Sequence, residues 1–333
     1  MEVQQKVDLA PYNTFGVSAK AAHFAYITSA EDLRSGLDYS RQLDLPILVL
    51  GKGSNLLFTK DFCGLVLQMD WRGIDWLDAL DRVTVACGED WHDFVIQCMN
   101  KGLHGIENLA LIPGSVGAAP IQNIGAYGAE LSDVVYEVSA MDIRTGEIIK
   151  FDYEHCKFSY RNSFFKHKEG KKFIVTSVTL QLSSAWHPNI AYPSLKQALT
   201  SAKPSPLQVF DTVCQIRGSK LPDPGKLGNA GSFFKNPVIS REKFNTLQLD
   251  FPKIPVFDSE INEFVKVPAA WLLEKAGWKG KTRGKAAVST NHALVLVNLG
   301  GASGQDIQLL AQEIRSSVLE QFDIALEPEV QLI

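Results

Sequence analysis

The chain has 333 residues, 45% of them hydrophobic and 21% charged, with a formal net charge of −4; this is enough apolar material for two or three domains and excludes a disordered or disulfide-dependent scaffold. The acidic balance offers no general attraction to nucleic acid or to an anionic membrane, and five scattered cysteines without a Cys-x-x-Cys pair signal neither a disulfide framework nor a zinc site. No apolar run is long enough to cross a bilayer and the N-terminus lacks a basic region followed by an apolar one, so a cytoplasmic protein in a reducing compartment is expected.

In chain order, residues 23–28 read as a strand, and Ser29 with Asp32 as the cap of a short helix carrying Leu33 and Leu37. Residues 46–50 are uninterruptedly apolar, as expected of a strand buried on both faces that completes a βαβ unit. Directly after it stands Gly51-Lys52-Gly53-Ser54-Asn55. Glycines at a strand end turn backbone N–H groups toward an anion, so this is a candidate pyrophosphate nest, with a tight turn between strands as the alternative. The common nucleotide fingerprints are missing: a Rossmann loop requires glycine at Leu56, and a P-loop requires Gly-Lys-Ser/Thr. Residues 83–87 read as a strand, and Trp91, Phe94, Val95, Cys98 and Met99 fall at helical spacing before Gly102. His92 and His104 have no second ligand at metal spacing and read as structural or exposed.

Residues 112–131 form the most unusual stretch, dense in glycine and alanine with Glu130 as its one charge. A backbone so bare can lie directly against a large flat ligand; a buried connecting loop is the alternative. Gln122, Asn123 and Tyr127 place polar groups among its apolar neighbours. Residues 134–143 and 147–152 then flank Arg-Thr-Gly as a hairpin, and residues 173–182 supply a further strand. Between them, Arg161 stands among aromatics, either stacking on a ring system, presenting a fork to a carboxylate, or snorkelling from the cluster.

Pro206 opens a helix bearing Val209, Phe210, Val213 and Ile216, and Leu-Pro-Asp-Pro-Gly at 221–225 marks a domain boundary. Beyond it, in Gly-Asn-Ala-Gly-Ser-Phe-Phe-Lys-Asn-Pro at 228–237, Ser232 is either sheltered beside a ligand or a turn serine. It is no nucleophile elbow, because Phe234 stands where Gly-x-Ser-x-Gly requires glycine. Residues 268–276 read as a helix stopped by Gly277, residues 293–298 as a buried strand, and Ser303 with Asp306 as the cap of a longer helix with one apolar face (Ile307, Leu310, Ala311, Ile314, Val318). In the extended segment 324–333, Glu327 and Glu329 are either a like-charged pair on one face, one of them protonated, or two solvated surface glutamates.

Taken in order, Asn13-Thr-Phe-Gly16, Gly51-x-Gly-Ser-Asn55, the loop from Pro113, Ser159-Tyr-Arg161, the 228–237 stretch and Glu327-Pro-Glu-Val330 resemble the UDP-N-acetylenolpyruvoylglucosamine reductases. Tyr192, in Ala-Tyr-Pro-Ser-Leu, is similar to the substrate-covering tyrosine of the longer class of that family. The resemblance implies an α+β protein: an FAD-binding region of the vanillyl-alcohol oxidase (p-cresol methylhydroxylase) type at 1–220, in lobes of about 1–72 and 73–220, and an α+β substrate domain at 221–333 whose last strand returns to the active site. It implies noncovalent FAD, NADPH as hydride donor, UDP-N-acetylglucosamine enolpyruvate as substrate, no metal, and a monomer in peptidoglycan precursor synthesis. It assigns catalysis to Arg161, Ser232 and Glu329. Cofactor binding falls to Gly51, Gly53, Ser54, Asn55, Pro113, Gly114, Ser115, Gly117, Asn123, Gly125 and Ala126, and substrate binding to Tyr127, Tyr192, Lys220, Lys235 and Asn236.

Overall fold

The computed structural model describes residues 1–77, 81–258 and 261–333. They fall into two compact units, the first built from Met1–Val7, Ala21–Lys52 and Cys63–Arg217, the second from Asp8–Lys20, Gly53–Phe62 and Gly218–Ile333. Residues 1–220, expected as one region, thus lend two N-terminal stretches to the second unit. Among the described residues no helix is long and apolar enough to cross a membrane, and no group of three or more His, Cys, Asp or Glu is placed to hold a metal ion.

The first unit carries two sheets. One runs in the order Gln4–Asp8, Lys20–Ile27, Phe62–Met69, Ile47–Leu50, the last two strands parallel. The helix Ala30–Gln42 starts where the Ser29 hydroxyl accepts from the Asp32 N–H at 3.1 Å, and it buries Leu33 and Leu37 in a core shared with Leu65 and Leu67. Ile47–Leu50 departs from expectation. It lies at the sheet edge beside Phe62–Met69, and its Val49 is 40% exposed. The doubly covered position belongs to Phe62–Met69, whose residues 64–67 are all buried.

The other sheet is antiparallel and ordered Ile148–Asp152, Val135–Asp142, Phe173–Gln181, Arg82–Ala86, Ile74–Leu77. Its hairpin closes through Gly146 at φ +70°, the left-handed conformation glycine adopts at least cost. The helix Trp91–Asn100, capped by Asp90 accepting from the Asp93 N–H at 3.0 Å, packs Trp91, Phe94, Val95 and Cys98 into one core with Val83, Val85 and Val178.

In the second unit a sheet ordered Gly228–Ser232, Val295–Asn298, Ala286–Val288, Thr282–Arg283 shares a core with the helix Gly304–Phe322. Ser303 and Asp306 make a full capping box at its start, and Ile307, Leu310, Ala311, Ile314 and Val318 are buried, the apolar face that the periodicity marks. The segment around Asn13 joins this unit through buried side-chain bonds: its amide donates to Leu9 O at 2.7 Å and Val17 O at 2.9 Å, and Asn298 donates to Phe15 O at 2.9 Å. The C-terminal segment runs parallel to Leu56–Leu57 at Gln331–Leu332 and bridges Phe234 at Pro328, so the expected strand is broken into two short pairings.

Candidate functional site

In the first unit, the expected cofactor loop is laid down backbone against backbone. Gly114 O accepts from the Trp91 N–H at 3.1 Å, Val116 N–H donates to Glu89 O at 2.9 Å, and Gly117 N–H to Cys87 O at 2.9 Å. Such an approach leaves no room for side chains. A Cβ on Gly117 would lie 2.4 Å from Cys87 Cβ, and one on Gly51 would lie 2.4 Å from the buried Ser115 hydroxyl. Lys52 adds a cation, its Nζ 3.7 Å from Asp90. Pro113 opens the loop, and Asn123 buckles it. Fully buried at φ +46°, Asn123 donates to Glu130 Oε2 at 2.7 Å, Ser132 Oγ at 3.2 Å and Ser159 O at 3.3 Å, and accepts from the Ser132 N–H at 2.9 Å. Its amide therefore shapes the loop.

Two adjacent tight turns then carry the side chains of interest. Gly125–Ala126 pairs with Ala129–Glu130, so Tyr127 and Gly128 form a two-residue hairpin tip at φ +50° and +84°, the pattern of a type I′ turn that ordinarily takes Asn-Gly. Ser159 and Asn162 exchange backbone hydrogen bonds at 3.1 and 3.0 Å, which makes Tyr160-Arg161 another two-residue tip with Arg161 at φ +53°. A left-handed non-glycine residue costs about 1–2 kcal/mol. Such strain concentrates at functional positions, and here it falls on a tyrosine and an arginine. Arg161 donates through Nη2 to Gly125 O at 2.7 Å and lies 5.2 Å from the Tyr160 ring; a Cβ on Gly125 would come within 2.9 Å of Arg161 Nη1. Gly125 is thus the residue that lets the guanidinium lie along the loop.

Tyr127 and Tyr192 meet edge to face at 5.5 Å, and burial pushes the Tyr127 phenol upward. Asn108 pins both segments, donating to Tyr127 O and Asn189 O at 2.8 Å, while Asn189 donates to Gly128 O at 2.8 Å. Asn108 escaped the sequence reading because nothing marks an asparagine for burial except its tertiary partners. Arg217 escaped it too: its Nε is enclosed without a hydrogen-bond partner.

The second unit carries Ser232 and Glu329 and brings their segments together. Ser232 ends the strand Gly228–Ser232 after Gly231 at φ +68°, and the next residues run beside the C-terminal segment: Glu329 N–H donates to Phe233 O at 2.8 Å, and Lys235 N–H to Glu327 O at 3.0 Å. Phe233 and Phe234 are each 1% exposed, which anchors the chain directly after the serine. The two glutamates have different surroundings: Glu327 is exposed and paired with Lys235 at 3.0 Å, while Glu329 is half-buried. Asn55 ties the C-terminal segment down, donating to Glu329 O at 3.3 Å and accepting from Gln331 N–H at 3.0 Å. Gly53, at φ +61°, has room only for hydrogen, since a Cβ would stand 2.1 Å from Tyr12 O; Ser54 follows it. Asn236 Oδ1 accepts the Ala269 N–H at 2.9 Å and so caps the helix Ala269–Lys275. Lys220 is exposed at the end of the helix Pro206–Lys220 and acts electrostatically on His292, whose imidazole burial holds below its ordinary value.

Comparison with known proteins agrees with this chemistry. Residues 21–152 match the FAD binding domain model, and residues 223–333 match the model of the UDP-N-acetylenolpyruvoylglucosamine reductase C-terminal domain. The reductase of Amoebophilus asiaticus is 44% identical over 339 aligned residues covering 100% of both chains. The crystal structure of the Thermus caldophilus reductase aligns with TM-score 0.72 and 25% identity over 100% of this chain and 99% of that one. That of 6-hydroxy-D-nicotine oxidase from Arthrobacter nicotinovorans, at TM-score 0.56 and 14% identity over 96% and 85% of the two chains, shares the fold. The chain belongs to the UDP-N-acetylenolpyruvoylglucosamine reductase family.

Proposed function

We propose that the chain catalyses the NADPH-dependent, FAD-mediated reduction of UDP-N-acetylglucosamine enolpyruvate to UDP-N-acetylmuramate, in cytoplasmic synthesis of peptidoglycan precursor. The observation that carries this is full-length similarity to named reductases together with a matched FAD-binding domain. The residues present fit a dinucleotide: Gly51 and Gly117 let the glycine-rich loops pack directly on Ser115 and Cys87, presenting bare backbone, and Lys52 supplies a cation for a diphosphate. Gly51, Gly53, Ser54, Asn55 and the loop from Pro113 to Ala126 would hold the cofactor noncovalently. The chemistry supplied by bound FAD is hydride transfer between NADPH and the enolpyruvyl double bond.

Hydride arriving at the methylene carbon leaves negative charge on the neighbouring carbon and its carboxylate. Arg161, preset by its strained turn, counters that charge; the Ser232 hydroxyl protonates the carbon; and Glu329, in its protonated form, donates a hydrogen bond to the enolate. Tyr127, Tyr192, Lys220, Lys235 and Asn236 supply the cations and donors that a UDP group requires. NADPH absorbance, followed with and without the enolpyruvyl sugar nucleotide, tests the reading, and acid precipitation locates the flavin. A yellow supernatant and substrate-dependent NADPH loss are expected. A yellow protein that consumes NADPH equally fast without the sugar nucleotide would defeat the proposal.

A further inference from the structure

Asn108 lies in the single 3₁₀ turn Glu107–Leu109, all of whose residues are buried. The turn is fixed on both sides. Before Asn108, the Glu107 carboxylate accepts from the Gly105 N–H at 2.9 Å and lies 2.9 Å from His104 Nδ1; after it, Leu109 O accepts from the Trp91 indole N–H at 2.9 Å. His104 exchanges main-chain hydrogen bonds with Ser183 at 2.8 and 3.0 Å, so the same region anchors the start of the segment 183–204, which the Trp186 indole closes on itself by donating to Pro204 O at 2.8 Å. From this base the Asn108 amide spends both of its hydrogens on the main chain of two different segments, at Tyr127 O and Asn189 O. Asn189 completes the tie through its own amide, which donates to Gly128 O. Both carbonyls of the left-handed tip Tyr127-Gly128 are thus held by asparagine side chains, which supports a turn that carries tyrosine where Asn-Gly is usual. Packing repeats the link: a Cβ on Gly128 would stand 3.5 Å from Asn189 Oδ1 and 3.8 Å from Tyr192 Cβ.

We infer that Asn108, together with Asn189, is a positioning residue for the reaction: by tying the hairpin tip to the segment 183–204 it holds Tyr127 and Tyr192 as one preset pair for the sugar nucleotide. With 4% exposure and both amide hydrogens engaged by main chain, Asn108 acts through the tyrosines rather than on the ligand. Side chains ordered before the ligand arrives lose less freedom on binding it, so the tie contributes to affinity and not to the chemical step. This deepens the proposed function and rests on its assignment of both tyrosines to the substrate.

The test compares FAD-loaded wild type with Asn108→Ala, Asn189→Ala and Asn189→Gln, varying the enolpyruvyl sugar nucleotide in steady state and following flavin reduction by NADPH alone in rapid mixing. Asn189 is exposed, so its replacement leaves the core intact even where Asn108→Ala, which strands two carbonyls, folds poorly. Asn189→Ala should raise the KM for the sugar nucleotide about five-fold or more, with kcat and the rate of flavin reduction within about two-fold of wild type. Asn108→Ala, which frees both segments, should raise KM further, and Asn189→Gln, which keeps the amide, should recover part of the loss. In a Tyr192→Phe background the Asn189→Ala change should add less than about two-fold, since a residue that acts through the phenol has nothing left to place. An unchanged KM in Asn189→Ala would overturn the inference, as would full additivity with Tyr192→Phe or equal slowing of both half-reactions. Hydrogen exchange of peptides covering 125–131 and 186–200 reads the tie without reference to activity: faster exchange in both is expected of Asn189→Ala, and unchanged exchange would also overturn it. Failure of the proposed function shows separately, as wild-type protein that does not couple NADPH oxidation to the sugar nucleotide.

Discussion

Ser232 illustrates how far a single residue's role depends on what holds it. Its hydroxyl follows a left-handed glycine and precedes two phenylalanines almost without exposure, so backbone and core, rather than any hydrogen-bond relay in the sequence, fix its position. Serine as proton donor makes unequal demands on the two halves of the reaction, because flavin reduction by NADPH takes no proton from it. Ser232→Ala is expected to fold, bind FAD and bleach with NADPH near the wild-type rate, then reoxidise ~10²–10⁴-fold more slowly with the sugar nucleotide. Rapid-mixing absorbance resolves the two phases, and equal slowing of both would leave Ser232 a turn residue. Asn123 presents the opposite case, a residue whose polar groups are all engaged within the protein. Asn123→Ala strands the Ser132 N–H, at a cost of about 1–3 kcal/mol for a group left unsatisfied. Denaturant unfolding should register that loss along with weaker FAD retention. Unaltered stability would mean that the buckle is dispensable.

At the scale of elements, hairpins place the chemistry and helices provide the bulk. The tips at Tyr127-Gly128 and Tyr160-Arg161 are short enough that each side chain's direction follows from its turn, which is why left-handed backbone is tolerated on residues with a Cβ. The helix Gly304–Phe322 does different work: it covers the second unit's sheet with a continuous apolar face, beginning at a capping box. Leu310 is 0% exposed within that face. Leu310→Ala should therefore lower stability by ~2–5 kcal/mol through lost burial and a cavity. Its effect on substrate affinity in the surviving folded fraction should be small. A drop below ~1 kcal/mol, read from denaturant midpoints, would show that the face collapses around the deletion.

For the molecule as a whole, acid should weaken folding before any carboxylate is involved. His92 in the first unit and His292 in the second are both held below the ordinary imidazole value, with burial the leading cause in each. A histidine whose folded value lies below its unfolded value of about 6.5 binds protons more readily when unfolded. Its contribution to stability is thus fully present above pH ~6.5 and is lost as pH falls through the folded value. Asp32 and Asp306, both lowered chiefly by side-chain hydrogen bonds, add a second decline at more acid pH, below the ordinary carboxylate value near 3.9. Melting temperature should be level above pH 7 and fall between pH 6.5 and 5, with His92→Gln and His292→Gln each flattening part of that slope. A melting temperature constant from pH 7 to 5 would refute the burial argument.

Local physics explains what was readable from the chain alone. Helix caps at Ser29 and Ser303, the 3.6-residue periodicity of the last helix, and the Arg-Thr-Gly hairpin rest on interactions spanning a few residues, so they could be placed without a partner strand. The family resemblance likewise rested on short motifs in fixed order. Tertiary structure alone decided that the apolar residues 46–50 form an edge strand, because burial of both faces depends on which strand becomes the neighbour. It also decided that residues 8–20 and 53–62 join the C-terminal unit, through bonds such as Asn298 to Phe15 O that span 283 positions. The same holds for Arg217. Nothing in Ile-Arg-Gly-Ser-Lys distinguishes a solvated arginine from an enclosed one, since a charge's environment is made by distant segments packing over it and not by its neighbours in sequence.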